Sequence, residues 1–191
     1  MTKKKKKQPI FIGLVGTGGS GKDTAASYIK HRYGAEEFRY SYLLVKALEI
    51  FGIEVSRENL AWLMNILKRK YGKDVLTRAM KKTIDELARK PIVVVSGMRL
   101  LSDYKFLRGY KRNYLIFLDA PEKIRWQRVR VRGEKTDDNV TFKEFKKLMS
   151  GENERFIRRI GKKADFVINN GSSLKHLQQE IDKVMKQIAI R

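Results

Sequence analysis

Six apolar residues, Ile10 to Val15, run straight into Gly16-Thr17-Gly18-Gly19-Ser20-Gly21-Lys22, and the helix-compatible run Lys22 to Lys30 follows. Glycine, four residues, then Gly-Lys is the spacing of a phosphate-binding P-loop, here placed after a strand and before a helix as its mechanism requires. Consecutive backbone N–H groups wrap a phosphate only where the chain approaches closely and visits positive φ, which Gly16, Gly18, Gly19 and Gly21 permit. The following helix points its positive end at the same anion. Lys22 adds a mobile charge that can follow a phosphoryl group in transfer. A glycine-rich turn without chemistry is the bland alternative, and the strand–loop–helix order speaks against it. Asp23 stands where a Ser or Thr hydroxyl usually meets Mg²⁺, and Thr24 comes one place later. Asp23 and Thr24 are therefore the candidate metal ligands, Asp23 directly or through water.

The rest of the chain repeats the alternation that the first unit begins. Glu36 to Arg39 reads as a short strand, and Leu43, Leu44, Ala47, Leu48 and Phe51 recur at helical spacing up to Gly52. Ser56 can cap a helix faced by Leu60, Leu63, Met64, Leu67 and Tyr71, closed by Gly72. Asp74 to Lys90 is amphipathic and stops at Pro91. Ile92 to Val95 is a second fully apolar strand ending in Ser96-Gly97-Met98-Arg99, with a short helix at Asp103 to Arg108 after it. Tyr114 to Leu118 is a third such strand, and Pro121 opens a helix through Arg132. Gly133 to Asn139 is a polar loop, and Thr141-Phe142-Lys143-Glu144 is a capping box that restarts a helix. Phe166 to Ile168 is the last strand, and Ser172 or Ser173 caps a final helix through Ile188. Strands alternating with helices predict an α/β fold with a parallel sheet.

The 191 residues suffice for one domain, expected over residues 9–191, with helices on both faces of its sheet. Residues 1–8 read as a disordered basic tail. The pairing of Lys3 to Lys7 with Ile10 to Val15 superficially resembles a signal peptide, but the apolar run is short, lacks a cleavage site and leads into the P-loop. No other stretch is long enough to span a bilayer. With no cysteine in the chain, disulfides and thiolate metal sites are excluded, and a soluble, cytoplasmic protein is expected. Lys and Arg total 43 against 21 Asp and Glu, a net charge of +22, and setting aside the five lysines Lys3 to Lys7 still leaves +17. Such an excess attracts nucleotides, nucleic acid and anionic lipid without choosing among them.

Ligands of open parallel sheets bind beyond the carboxyl ends of the strands. Those ends are the P-loop, Ser96 to Arg99 and Asp119 to Pro121. Arg125, Arg128 and Arg132 follow at spacings of three and four, on one helix face. Arginine forks stabilise the charge that phosphoryl transfer spreads over equatorial oxygens, and a basic helix entering a polar loop suits a lid over phosphates. A merely solvated basic face is the alternative. His31 and His176 are isolated, and Trp62 and Trp126 read as packing residues.

The P-loop with Lys22-Asp23-Thr24, the stretch Arg57-Glu58-Asn59-Leu60 to Gly72-Lys73-Asp74, Ser96 to Arg99, the pair Arg128/Arg132 and Ala164 to Ser172 follow one another in a recognisable order. By them the chain resembles the nucleoside-monophosphate-kinase-like P-loop kinases over about residues 9–190. Within that group it is similar to deoxynucleoside monophosphate kinases and dephospho-CoA kinases. The resemblance implies a P-loop NTPase three-layer sandwich, with a parallel five-stranded sheet in the order 2-3-1-4-5 and a small lid at about 125–150. It implies that Gly16 to Thr24 hold the phosphates of ATP and Mg²⁺, that Lys22, Arg128 and Arg132 are catalytic, and that Asn170, Gly171 and Ser172 border the adenine. Arg99 would face the acceptor phosphate, with Arg39, Ser41 and Lys46 on the acceptor-side wall.

Two departures stand out. Relatives have an acidic residue where Ser96 stands, and often an Asp and an Arg in the stretch here reading Ser41 to Val45. Asp23, Asp103 and Asp119 are the available carboxylates, Asp119 equally readable as a strand-end cap. The implied activity is ATP-dependent phosphoryl transfer to a small nucleotide-like acceptor: a nucleoside or deoxynucleoside monophosphate, or dephospho-CoA. The competing reading is a nucleic-acid-associated NTP-binding protein or NTPase that uses the same loop without small-molecule kinase activity. Weak, non-specific nucleic-acid binding is compatible with either.

Overall fold

The structure, a computed structural model, describes residues 8–132 and 140–190. Most of the expected basic tail, including Lys3 to Lys7, and the polar loop Gly133 to Asn139 lie outside the described residues. In chain order the elements are β1 (Ile10–Val15), α1 (Lys22–Tyr33), β2 (Glu36–Arg39), α2 (Tyr40–Ile50), α3 (Arg57–Tyr71), α4 (Val75–Leu87) and β3 (Ile92–Ser96). They continue as α5 (Leu101–Arg108), β4 (Asn113–Asp119), α6 (Glu122–Arg132), α7 (Phe142–Met149), α8 (Glu152–Gly161), β5 (Phe166–Asn169) and α9 (Leu174–Ile190).

The five strands form one all-parallel sheet in the order β2-β3-β1-β4-β5, as the resemblance implies. Each of the three apolar runs is buried on both faces, and this is why none alternates with polar residues. Ile12, Leu14, Val94, Ile116 and Leu118 point to a layer formed by α1 and α9, where Ala25, Ile29, Leu177, Ile181 and Ile188 meet them. Phe11, Val15, Val93, Val95 and Leu115 point the other way, onto Met80 and Ile84 of α4, Leu107 of α5 and Ile157 and Ile160 of α8. Truncating any fully buried member, such as Ile12 or Leu107, to alanine should cost about 2–5 kcal/mol. The register sets Leu14 beside Ser96 and Ile116, so the P-loop leaves the sheet flanked by the ends of β3 and β4.

Helix limits match the sequence signals closely. Ser56 Oγ accepts from Asn59 N at 3.1 Å and caps α3. Thr141 and Glu144 make the reciprocal box that starts α7, and Ser173 Oγ accepts from His176 N at the start of α9. One break was not foreseen. The helix restarted at Thr141 ends at Ser150, and Gly151 opens a separate helix, α8, in extended conformation.

Candidate functional site

The P-loop has the backbone that its glycines foretell. Gly19 has φ 78° and Gly21 has φ 90°, both in the left-handed region, and Gly21 is the N-cap of α1. A side chain at Gly21 would also collide with Asn170, whose Nδ2 lies 2.2 Å from the position of a Cβ. Thr17 and Ser20 are fully buried, and their hydroxyls have no hydrogen-bond partner among the described residues. Buried hydroxyls left so are costly unless something else satisfies them. The cradle therefore fits a polyoxygenated anion by its conformation and by its unmet polar atoms.

Other parts of the chain hold this loop from behind. Asn170, buried, donates from Nδ2 to Ser20 O at 2.9 Å. Arg125 is only 1% exposed and donates from Nε to Ala120 O at 3.0 Å and from Nη1 to Gly18 O at 3.3 Å. Its guanidinium lies over the Phe145 ring and 3.6 Å from Glu122. Burial, and after it the nearby Arg158, pulls the Arg125 pKa below the usual arginine value. The shared face expected for Arg125, Arg128 and Arg132 thus contains one arginine that lies beneath the loop. Arg128 donates from Nη1 to Asn170 O at 2.8 Å and from Nη2 to Ser172 O at 3.2 Å, clasping the segment expected beside the adenine. The Arg132 side chain lies outside the described residues.

Lys22 sits 3.8 Å from the Asp23 carboxylate, and Asp23 is 3.6 Å from Arg39 Nη2. Thr24 is exposed at the start of α1. Among the described residues, no group of three or more His, Asp or Glu side chains is placed to hold a metal ion. Mg²⁺ at Asp23 and Thr24 would thus draw further ligands from phosphate and water, an arrangement this ion favours.

Where the acceptor is expected, Arg39, Ser41 and Tyr42 line a depression of about 530 Å³ beside β2, together with Lys30, Glu37 and Thr83. Lys46 does not line it. It pairs with Glu49 at 2.8 Å one turn along α2 and lies over the Tyr42 ring. Arg99 is exposed beyond β3. Of the three carboxylates considered from sequence, Asp103 is a cap: it accepts from the amides of Arg99 and Leu100 at 2.8 and 2.9 Å and from Thr77 Oγ1 at 2.8 Å. Asp119 accepts from Ala120 N at 2.9 Å, which fits its strand-end reading.

Two carboxylates escaped the sequence reading. Glu37 accepts from Ser96 Oγ at 2.8 Å, so the position lacking an acid on β3 borrows one from β2. Its signal was the spacing Glu37–Arg39, which puts both on one strand face beside Ser96. Glu154 of α8 is half-buried among Gly18, Lys22, Arg99 and Arg125, and its Oε2 has no hydrogen-bond partner among the described residues. Burial raises its pKa in spite of those cations. Nothing in its sequence surroundings marks it. Trp62 is half exposed on α3, whereas Trp126 donates to Val140 O and packs on Phe142 as expected.

A five-stranded parallel sheet with a P-loop after its central strand, covered by helices on both faces, defines a P-loop kinase-like fold. The same fold is seen in shikimate kinase from Bacteroides thetaiotaomicron (TM-score 0.66, 13% identity, 94% of this chain and 98% of that one). It recurs in shikimate kinase from Acinetobacter baumannii in complex with shikimate (TM-score 0.57, 19% identity, 96% and 94%). No family model matches the chain. It belongs to the UPF0200 family: it is 30% identical over 183 residues to a UPF0200 protein of Pyrococcus horikoshii, covering 94% of this chain and 97% of that protein. Among the described residues no helix is long and apolar enough to cross a membrane.

Proposed function

We propose that the protein transfers the γ-phosphoryl group of ATP to a small nucleotide-like acceptor, of the nucleoside-monophosphate or dephospho-CoA class. The observation that carries this reading is the cradle: left-handed Gly19 and Gly21, a helix N-terminus behind them, and the unmet hydroxyls of Thr17 and Ser20. Gly16 to Gly21 hold the β- and γ-phosphates through backbone N–H groups, and Lys22 follows the γ-phosphoryl group. Arg128 fixes the Asn170 to Ser172 segment that borders the adenine. Arg39, Ser41 and Arg99 address the acceptor. Mg²⁺, held by Asp23 and Thr24, would screen the phosphate charge.

In such a reaction the protein contributes positioning and electrostatics more than covalent chemistry. The acceptor is carried in beyond the ends of β2 and β3, and the donor lies beyond β1. The test is Lys22→Ala, which should leave the melting temperature unchanged and abolish acceptor-dependent ADP release. Turnover kept within about tenfold, a barrier change near 1.4 kcal/mol, would remove Lys22 from the reaction and with it this use of the loop.

A further inference from the structure

Resting on the reading that the P-loop takes ATP, we infer that Glu154 binds the phosphate chain as a neutral carboxylic acid. It takes up a proton from solvent as the nucleotide enters and donates it in a hydrogen bond to a phosphate oxygen. The place of Glu154 in the fold is fixed. Ile157, one turn on along α8, is buried with Phe11 and Val15 of β1 in one core, so the face that carries Glu154 turns inward. A Cβ at Gly161 would lie 2.6 Å from the Phe117 ring, a closeness that holds α8 down on β4. The end of α7 meets the phosphate loop as well: a Cβ at Gly18 would stand 3.2 Å from Met149 Cε. The corner between α7 and α8 therefore rests on the loop, and the Glu154 carboxyl lies with it.

Burial, the largest influence on Glu154, disfavours its charge, while Arg99, Lys22, Arg125 and the Gly18 N–H favour it. Oε2 is buried and has no hydrogen-bond partner among the described residues. Of the groups that favour its charge, Gly18 and Lys22 are assigned to the donor phosphates and Arg99 to the acceptor. The carboxyl thus stands among the groups meant for phosphate, while one of its oxygens is unmet. Other charges nearby are already engaged. Asp103 of α5 accepts from the Arg99 and Leu100 amides and from Thr77, Tyr104 and Arg108 of α5 meet Lys163 and Asp165, and Arg158 of α8 meets Glu122. Strand β1 carries no titratable residue.

An arriving triphosphate changes the balance at this carboxyl. Its oxygens compete for the same cations and set negative charge beside a buried carboxylate, and each effect favours protonation. The neutral acid ends the repulsion and gains an O–H donor for a phosphate oxygen. The complex then holds one proton more than protein and nucleotide apart, so binding strengthens as pH falls. For one proton the gain is up to about tenfold in affinity per pH unit.

Isothermal titration calorimetry of Mg²⁺·ATP into the full chain, without acceptor, is run between pH 6 and 9. Buffers of different ionisation enthalpy give the protons exchanged per ATP bound, and Glu154→Gln and Glu154→Ala are run beside the native chain. The native protein should take up more protons than Glu154→Gln, by up to about one per ATP, and towards pH 9 its affinity should fall relative to Glu154→Gln by up to about tenfold per pH unit. Glu154→Ala should also lack the excess uptake but bind about tenfold more weakly than Glu154→Gln at pH 9, because only the amide can donate to a charged oxygen. Equal proton counts in the native chain and Glu154→Gln at every pH would overturn the inference. Glu154→Ala binding as tightly as Glu154→Gln would overturn the donated hydrogen bond. Weaker binding by Glu154→Gln with Mg²⁺ present but not without it would make Glu154 a partner of the metal and overturn the inference too. Acceptor-dependent ADP release is read on the same preparations: its absence with the excess proton uptake intact would sink the kinase reading and leave Glu154 a nucleotide-binding residue. Failure of the native chain to bind ATP would sink both.

Discussion

Replacing Arg125 separates a brace from a phosphate clamp. The side chain is 1% exposed and donates to Ala120 O and Gly18 O. Arg125→Ala leaves the buried Ala120 O and the part-buried Gly18 O without this donor, at up to about 1–3 kcal/mol each, and adds a cavity term. Loss of the desolvated charge offsets part of this, because burial already depresses its pKa and a buried charge costs several kcal/mol. The net is about 4 kcal/mol of destabilisation. For a chain of this size each kcal/mol moves the melting temperature by about 2–4 °C, so a fall of about 8–16 °C is expected. Arg125→Met fills most of the volume and relieves the charge, so its loss should stay under about 2 kcal/mol. Scanning calorimetry on both variants, with ATP binding measured at a temperature where each is folded, tests the argument. A melting temperature within about 2 °C of native in Arg125→Ala, together with abolished turnover, would refute it and return Arg125 to the phosphate-facing set.

Arg128 clasps two carbonyls at once, and lysine cannot reproduce that fork. Arg128→Lys should therefore raise the ATP dissociation constant about tenfold with little change in kcat; stopped-flow binding beside steady-state rates reads the split, and a rate-only loss would make it a transition-state clamp. The pKa of Glu154 is raised by burial, so its charged form is the disfavoured one in the fold. Its stabilising contribution is fully present below the ordinary glutamate value of about 4.3 and is lost as pH rises through the higher folded value. Glu154→Gln should therefore be the more stable protein at pH 7–8, with the advantage vanishing below about pH 4 in urea titrations; a gap independent of pH would disprove the linkage. On and beyond the end of α8, Arg159, Lys162 and Lys163 are exposed, and such charges hold nucleic acid through counterion release. Changing all three to alanine should reduce the slope of log affinity against log salt by about 2–3, measured by fluorescence anisotropy on DNA and RNA, with ADP release unaltered. Tight, salt-resistant and sequence-selective binding would instead favour the nucleic-acid-associated reading.

The sheet was legible because its three central strands are buried on both faces and so carry uninterrupted apolar runs. Caps were legible because Ser56 and the Thr141/Glu144 box act within a single turn of chain. What was hidden depended on contacts distant in sequence. Glu37 and Ser96 are 59 residues apart, and no local pattern joins them until the pairing of β2 with β3 is known. The arginine spacing on α6 gave a common face but not its depth, so Arg125 under the loop looked the same as Arg128 beside it. Lys46, expected on the acceptor-side wall, pairs with Glu49, which stands three residues on and within reach on the same helix. The break at Ser150-Gly151 lay inside one amphipathic run and hid α8, and with it Glu154.

The burial of Arg125 and Asn170 follows from what a phosphate cradle has to be. A loop that turns its N–H groups inward to an anion turns carbonyl oxygens outward, into the surrounding protein. There they must be satisfied or cost free energy. Gly18 O and Ser20 O are two such oxygens, and their donors are Arg125 Nη1 and Asn170 Nδ2. One donor comes from the helix after β4 and the other from the loop after β5, so the conformation of the cradle is set by strands on the side of the sheet away from Glu37. The loop is thereby braced from the β4–β5 side of the sheet. The two sides meet at Arg39, whose guanidinium contacts Asp23 on one and Glu37 on the other. Arg39 thus ties Asp23 of the P-loop helix to Glu37 of the edge strand β2.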